Sequence, residues 1–336
     1  GLCGRVWNEG AQVGVELCGA AASVQAFCQQ LRQQAPAQSR IDQIRQRAWK
    51  PETWPNEFRI EVSSRSDGPL GLPVSPDLAP CSDCLQELFS PSDRRYQYPF
   101  INCTQCGPRY TLLRQLPYDR SNTSMAAFTM CPTCNAEYLN PLGRRFHAQP
   151  NACPHCGPTL WAESVAGVAP LPGGRAALQQ ALAVIRCGGI VAMRGVGGFH
   201  LLCDADNPQA IARLRERKRR PSKPFAVMLA NRASLAGRVA ASEAALVALE
   251  SSAAPVVVMP MVPAQAMAAA GRAEAVAQLA PGLDALGVML PQSPLHWLLF
   301  HLAAGEPAGT AWCQQAQALA LVATSANPSG EPLVTA

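Results

Sequence analysis

Charge is scarce in this 336-residue chain: Asp, Glu, Lys and Arg make up 15% of it, against 48% hydrophobic residues. That balance excludes a disordered or solvating protein and predicts compact domains. Also lacking is an apolar run long enough to cross a bilayer. The longest uncharged stretch, 251–271, is broken by Pro255, Pro260 and Pro263, so no membrane helix is expected there. No signal peptide opens the chain and no Met stands at position 1, so it is expected to be an internal piece of a longer cytoplasmic protein. Six of the fourteen cysteines (Cys3, Cys18, Cys28, Cys187, Cys203 and Cys313) follow no pairing pattern, which fits a reducing compartment. The net charge of +5 is too small to imply nucleic acid by itself. The length predicts about two to three domains.

The other eight cysteines are highly ordered. They form four C-x2-C knuckles, Cys81/Cys84, Cys103/Cys106, Cys131/Cys134 and Cys153/Cys156, separated by 18, 24 and 18 residues. The pattern is two copies of C-x2-C-x18-C-x2-C offset by 50 residues. Glu87/Glu137, Pro91/Pro141, Arg94-Arg95/Arg144-Arg145 and Gly107-Pro108/Gly157-Pro158 repeat as well, giving 10 identities in 30 aligned positions. That is a duplicated module. A C-x2-C bend brings two thiolates to one side, and two bends complete a tetrahedron around Zn²⁺. Four thiolates leave the site near −2, which the arginine pairs can partly offset. With four cysteines each and no open position, the sites read as two structural zincs. Disulfides and iron–sulfur clusters are the alternatives for such a set, and His155 inside the last knuckle could replace one sulfur.

Residues 1–66 read as a small α/β unit: strands at 4–7 and 13–17 around a turn, a helix at 20–34, then strands at 41–49 and 58–63. A turn-rich linker follows at 67–80, the cysteine module runs to about residue 162, and a second loop covers 166–174. Beyond it, helices and buried strands alternate. A helix at 176–187 leads to a strand at 190–193, a glycine-rich turn at 194–200 and a helix at 208–219. Strands at 224–229 and 319–324 complete an α/β domain with a mostly buried sheet.

Two stretches there can carry chemistry. Between Arg213 and Lys223, seven basic residues are opposed only by Glu216. The run reads as a solvated helix end, a nucleic-acid surface without interleaved aromatics, or a polyphosphate clamp stiffened by Pro221 and Pro224. Thr324-Ser325-Ala326-Asn327 ends a hydrophobic strand and offers a hydroxyl and an amide on one side, suited to phosphate or a small carboxyl group; it is also a common loop sequence. Gly195-x-Gly197-Gly198 is a weak phosphate signal that equally serves to reverse the chain. His200 reads as either a polar core residue or a substrate contact. His296 and His301, five apart, do not share a helix face as a metal pair would, and their neighbours read as core.

Several of these stretches together resemble the HypF family of hydrogenase-maturation carbamoyltransferases. They are Arg94-Arg95-Tyr96-x-Tyr98-Pro99-Phe100-Ile101-Asn102-Cys103-Thr104-x-Cys106-Gly107-Pro108-Arg109, Arg144-Arg145-Phe146-His147-Ala148-Gln149-Pro150, Gly195-x-Gly197-Gly198-Phe199-His200-Leu201, Arg217-Lys218-x-Arg220-Pro221-x-Lys223-Pro224, Gly287-Val288-Met289-Leu290-Pro291 and Thr324-Ser325-x-Asn327-x-Ser329-Gly330. The resemblance spans essentially the whole chain. It implies a multidomain α/β protein: a partial ferredoxin-like acylphosphatase unit (1–66), tandem four-cysteine zinc modules (67–165) and a YrdC-like domain with a twisted mixed sheet (166–336). It also implies an acylphosphatase loop upstream and a Kae1-like domain downstream, which this chain would lack.

Family members cleave carbamoyl phosphate and couple the carbamate to ATP, giving carbamoyl-adenylate and pyrophosphate. They then pass the carbamoyl group to the C-terminal cysteine of HypE as the source of cyanide for NiFe hydrogenases. Carried over, Asn8 matches the catalytic asparagine of the acylphosphatase fold. Lys218, Arg220 and Lys223 would face the phosphates of ATP, with Mg²⁺; Thr324, Ser325 and Asn327 would position the nucleotide; Arg194 and His200 would line the carbamate side. A threonylcarbamoyl-adenylate synthase for tRNA modification and a zinc-ribbon nucleic-acid-binding protein are the rival readings, with membrane excluded and nucleic acid not expected.

Overall fold

A computed structural model describes residues 1–9, 12–35, 39, 41–50, 53, 56–61, 74–163, 173–328 and 330–334. The expected domain boundaries near 66 and 165 lie outside these residues, as do Ser329 and most of both the linker and the 166–174 loop. The chain forms two compact units, 1–75 with 112–126, and 76–111 with 127–336.

In the first unit, β1 (Cys3–Glu9) and β2 (Gln12–Cys18) form an antiparallel hairpin. Helix α1 (Ala21–Gln33) then returns the chain to β3 (Phe58–Ile60), parallel to β1, in the order β2-β1-β3. Gly4 is obligatory in β1: at φ +147 a Cβ would lie 1.9 Å from the Glu16 carbonyl oxygen. Arg5 pairs with Glu16 and Glu61 across the sheet. The expected strand at 41–49 does not form; the segment has no regular secondary structure and is largely exposed. Its apolar residues, Ile41, Ile44, Ala48 and Trp49, lack the two-residue period that would give a strand one buried face.

The second unit begins with the cysteine modules. Each has one short helix directly after its first cysteine, α2 (Ser82–Leu88) and α3 (Pro132–Leu139), so the second cysteine of each knuckle, Cys84 or Cys134, faces inward from the first helical turn. The remainder runs α4 (Arg175–Arg186), β4 (Val191–Gly195), β5 (Gly198–Asp204), α5 (Pro208–Lys218), β6 (Ala226–Leu229), α6 (Glu243–Leu249), β7 (Val257–Pro260), α7 (Ala264–Ala269), α8 (Ala273–Leu279), β8 (Ala285–Met289), α9 (Pro294–Ala303) and β9 (Ala320–Ser325). The six strands order as β4-β5-β9-β6-β8-β7; β6 and β8 pair in parallel and the other pairs are antiparallel, so the sheet is mixed.

Strand alternation splits this domain's core in two. Cys203, Val227, Val288 and Val322 share one buried cluster with Ile211 and Leu214 of α5, Leu246 and Leu249 of α6, and Leu279 of α8. Leu202 and Leu321 point the other way, the side on which α4 packs against β5 and α9. Truncating Ile211, which is fully buried, would cost about 2–5 kcal/mol.

The cysteine modules are joined to this domain by an aromatic cluster. Phe89, at the end of α2, lies 4.6 Å from His301 and 5.2 Å from Trp312 between ring centroids. Gln97 donates to Glu306 at 3.0 Å, and Glu306 also pairs with Arg175. His301 is therefore a packing residue, its Nε2 within 2.9 Å of the Pro307 carbonyl. No described helix is long and apolar enough to cross a membrane.

Candidate functional site

The eight cysteines collapse into two tetrads, Cys81/Cys84/Cys103/Cys106 and Cys131/Cys134/Cys153/Cys156, with all four sulfurs of each within 4.8 Å of one another. The hydrogen-bonded sulfur pairs are 3.5–3.7 Å apart in the first tetrad and 3.6–3.9 Å in the second. A tetrahedral ion with bonds of about 2.3 Å has edges of about 3.8 Å. A disulfide would require about 2.05 Å, and every cysteine is free. Each tetrad thus fits a single zinc-sized ion, and His155 is not a member of the second. The Cys131 thiol is pulled down to about 6, first by the Cys134 backbone N–H, which predisposes that sulfur to bind as thiolate.

The arginine pairs neutralise the tetrads crosswise. Arg94 and Arg95 of the first copy reach Glu137 on α3 and the Cys134 sulfur, the latter at 3.2 and 3.6 Å. Arg144 and Arg145 of the second copy reach Glu87 on α2, and Arg144 donates to Cys84 Sγ at 3.4 Å. The exchange extends to the backbone: Arg95 Nε donates to the Ala152 carbonyl at 2.8 Å, and Arg145 Nε to that of Asn102 at 3.1 Å. Arg95 and Arg145 are almost wholly buried. Burial pushes the Glu137 carboxyl up, but Arg95 outweighs it and holds the group at about 2; Glu87 is lowered likewise by Arg145 and Arg144.

The second constellation gathers at the end of β9. Helix α5 stops because Arg219 takes a left-handed conformation (φ 50), which turns the basic run toward the end of β9. Lys218 Nζ donates to the carbonyls of Ser325 and Asn327 at 2.6 and 2.5 Å. Arg220 donates to Thr324 Oγ1 at 3.3 Å, and to the carbonyls of Lys223 and Pro224. Beneath it, Arg215 lies 4.5 Å from the Phe225 ring and donates to the carbonyls of Arg220, Gln278 and Leu279. Burial lowers the Lys218 pKa, aided by Arg220 and Lys223. Asn327 donates to the carbonyls of Pro328 and Glu331, while its Oδ1 is buried without a partner among the described residues.

Register sorts the remaining expected residues. His200 pairs with Met193 and Ser325, while Arg194 pairs with Phe199 and lies over its ring at 5.8 Å. Adjacent strand residues face opposite ways, so Arg194 and His200 do not line one wall. Arg194 shares the Thr324 face instead. The glycine-rich stretch is a hairpin turn between β4 and β5. Gly198, at φ +144, admits the Val334 carbonyl, which a Cβ would meet at 2.7 Å. Asn8 occupies β1 opposite Val13; its side chain lies outside the described part. Lys223 is exposed.

Family models match three consecutive regions: acylphosphatase over residues 1–60, HypF finger over 81–113 and 130–163, and a model described as telomere recombination over 183–336. The carbamoyltransferase HypF of Rhodobacter capsulatus is 46% identical over 334 residues, 99% of this chain and 40% of the relative. HypF2 of Cupriavidus necator is 50% identical over 342 residues, 100% of this chain and 40% of the relative. The crystal structure of full-length HypF in the phosphate- and nucleotide-bound form matches with a TM-score of 0.82 at 35% identity, covering 99% of this chain and 40% of that one. The chain belongs to the HypF family. It spans 40% of the length of these relatives.

In this HypF-family chain the sequence motifs were found where the chemistry is local, and missed where it is not. Arg215 is one charge among seven in the sequence; its support of the turn at 220–223 depends on the nearby Phe225 and on Gln278, 63 residues along the chain. His296 is buried, as its core neighbours imply; what the sequence does not show is that its ring is stacked on His200 at 5.6 Å between centroids, with an interplanar angle of 10°. No sequence signal tied α9 to β5. The crosswise exchange of arginines did leave one, the repetition of Glu87 as Glu137, but the spacing cannot say which copy each glutamate serves.

Proposed function

We propose that this chain carries the adenylation step of a HypF carbamoyltransferase, joining carbamate to ATP to give carbamoyl-adenylate and pyrophosphate. The observation that carries this reading is the docking of Lys218 and Arg220 onto Thr324, Ser325 and Asn327. It gathers cations, a hydroxyl and an amide oxygen without a partner among the described residues at the end of the interior strand β9. A carbamate oxygen attacks the α-phosphorus; the bond from that phosphorus to the bridging oxygen breaks, and pyrophosphate leaves with the electron pair. No protein nucleophile is needed, and no proton has to move.

The contribution of the residues is position and charge. Phosphate oxygens of ATP, bound as its magnesium complex, replace the backbone carbonyls that Lys218 and Arg220 now hold. Arg194, on the Thr324 face, adds charge on the nucleotide side. Asn327 Oδ1 accepts from a nucleotide hydroxyl or amine. Cys81, Cys84, Cys103 and Cys106 would hold one zinc and the second tetrad another, each supplying a cross-link within a module rather than a reactive centre. In the longer relatives, carbamoyl phosphate would supply the carbamate at an acylphosphatase site that includes Asn8, and the carbamoyl group would pass to the HypE C-terminal cysteine through a Kae1-like domain.

ATP–pyrophosphate exchange tests the reading. Exchange is expected with an ammonium bicarbonate solution, which supplies carbamate, and not with L-threonine plus sodium bicarbonate. Exchange only with threonine would move the chain to the tRNA-modifying reaction, and exchange with neither would refute adenylation.

A further inference from the structure

The two cysteine modules repeat each other's ligands but not each other's surroundings. At the first tetrad, Thr104 donates from both its backbone N–H and its hydroxyl to the Arg144 carbonyl, each at 3.1 Å. Asp83, in the first turn of α2, lies 3.7 Å from the same arginine's guanidinium, which also reaches Cys81 Sγ at 3.7 Å. These contacts bridge the knuckle at 103–106 to the arginine beside Cys81. Fifty residues along, Pro154 stands for Thr104 and Thr133 for Asp83. Proline has neither an N–H nor a hydroxyl to offer the Arg94 carbonyl, and threonine has no charge to pair with its guanidinium. The bridge cannot form where the duplication would place it. A cavity of about 420 Å³ opens there instead, lined by Arg94, Cys131, Thr133, Cys153, Pro154 and His155.

Access to sulfur differs accordingly. Three cysteines of the first tetrad are fully buried, Cys84, Cys103 and Cys106, whereas Cys131 and Cys156 of the second are both half-buried. Cys131 and Cys153 form part of the cavity wall, their sulfurs 3.9 Å apart. Charge separates the copies as well. Asp83 adds a carboxylate beside Cys81, while the corresponding place beside Cys131 carries none and is flanked by Arg94, which donates to Cys131 Sγ at 3.6 Å. A cavity of this size takes a small organic molecule rather than a single water, and a thiolate that ligates a metal is also a nucleophile.

We propose that this cavity is an oxidation site for small carboxylate-bearing disulfides, and that exchange there links Cys131 to Cys153 and releases the second metal ion while the first tetrad keeps its own. The Cys131 thiolate attacks one sulfur of the small disulfide; that S–S bond breaks and one small thiolate leaves with the electron pair. The Cys153 thiolate then attacks the Cys131 sulfur, forming the protein disulfide and expelling the second small thiolate. Two electrons pass from the protein sulfurs to the small disulfide, and the departing thiolates take protons from water. Contraction of the pair to about 2.05 Å draws both sulfurs out of the tetrahedron. An ion left with Cys134 and Cys156 alone has lost half its ligands and goes to solvent. Arg94 attracts the carboxylate of the incoming disulfide, a part that Arg144 cannot play with Asp83 beside it. Nothing in this chemistry depends on the adenylation step.

The test treats the zinc-loaded full chain with oxidised glutathione at neutral pH, follows release with a chromogenic zinc indicator, and maps the cysteines by alkylation and mass spectrometry. One zinc equivalent should leave at least about tenfold faster than the other. A cross-linked Cys131–Cys153 peptide should appear with it, while Cys81, Cys84, Cys103 and Cys106 stay protected. Simultaneous loss of both ions, earlier loss from the first tetrad, or a disulfide that excludes Cys131 overturns the proposal. Thr133→Asp with Pro154→Thr gives the second copy the first copy's bridge and should slow release about tenfold. Asp83→Thr with Thr104→Pro should open the first tetrad to the same reagent. Native mass spectrometry, finding two zinc ions bound beforehand, identifies the variants that have folded; release from these at the unaltered rate would refute the role of the bridge. The unaltered chain supplies a second measurement. Hydrogen peroxide needs no cavity, so it should discriminate between the tetrads less than oxidised glutathione does. Equal discrimination would trace the selectivity to the sulfurs alone and defeat the cavity.

Discussion

Replacing Arg95 by Met should release zinc from the other copy's tetrad, not from its own. Met keeps the apolar stem and removes the guanidinium, which donates to Cys134 Sγ at 3.6 Å, to both carboxylate oxygens of Glu137, to Asn151 Oδ1 at 3.0 Å and to the Ala152 carbonyl at 2.8 Å. A charged hydrogen bond contributes about 1.5–3 kcal/mol. Arg94 remains on the same sulfur at 3.2 Å, so about 2 kcal/mol is a reasonable loss, or about 30-fold in zinc affinity. The assay is a chelator challenge with a thiol-alkylating reagent, read peptide by peptide in a mass spectrometer. Cys131, Cys134, Cys153 and Cys156 should be alkylated at about 30-fold lower chelator concentration, with the first tetrad unchanged. Arg145→Met should give the mirror image. If either variant exposes the thiols of its own copy first, or both tetrads equally, the crosswise neutralisation is wrong.

Other outcomes follow from the same contacts. Native mass spectrometry should find two zinc ions per chain, and stripping them should cost the cysteine region its fold, because such sites contribute about 10–16 kcal/mol; a metal content of one would remove a tetrad. Lys218→Ala should weaken ATP binding at least about tenfold by calorimetry. It should also speed amide hydrogen exchange at 325–327, since Lys218 pins those carbonyls; unchanged affinity would eliminate the clamp. His296 gives a pH signature. Its native pKa, near 3, lies below the ordinary 6.5, so its stability contribution is complete above pH 6.5 and is lost as pH falls toward 3. The slope is about 1.4 kcal/mol per pH unit in that window. His296→Phe should flatten the stability profile between pH 6 and 4 in denaturant titrations, and parallel profiles would show that the ring is not held neutral.

How legible the fold was depended on distance along the chain. The tetrads could be read because each thiolate pair is fixed by a three-residue bend and the duplication supplied its own internal control. Helices α4 and α5 and strands β6 and β9 were readable from apolar runs bounded by glycine and proline. The 41–49 segment was not, because β-branched and aromatic residues without a two-residue period carry no pairing partner with them. The opposition of Arg194 and His200 required knowing where the hairpin turns: a turn centred on Val196 and Gly197 makes the faces alternate from there. The His200–His296 stack depends on helix packing between segments almost a hundred residues apart, and side-chain type alone could not distinguish it from ordinary core.

The exchange of arginines between copies also bears on how such a protein can arise. Exchanging the copies, with 50 added to the first copy's numbers and subtracted from the second's, carries the Arg95–Glu137 and Arg95–Ala152 contacts onto Arg145 with Glu87 and Asn102, the self-complementary arrangement of a two-fold dimer contained in one polypeptide. A solitary ancestor of this module would have needed a second molecule of itself to satisfy its buried guanidinium. Gene duplication ordinarily frees one copy to drift or disappear. Here each copy completes the other's metal site, so neither can be discarded alone, and substitutions at 87, 95, 137 or 145 are constrained across the duplication rather than within a single repeat.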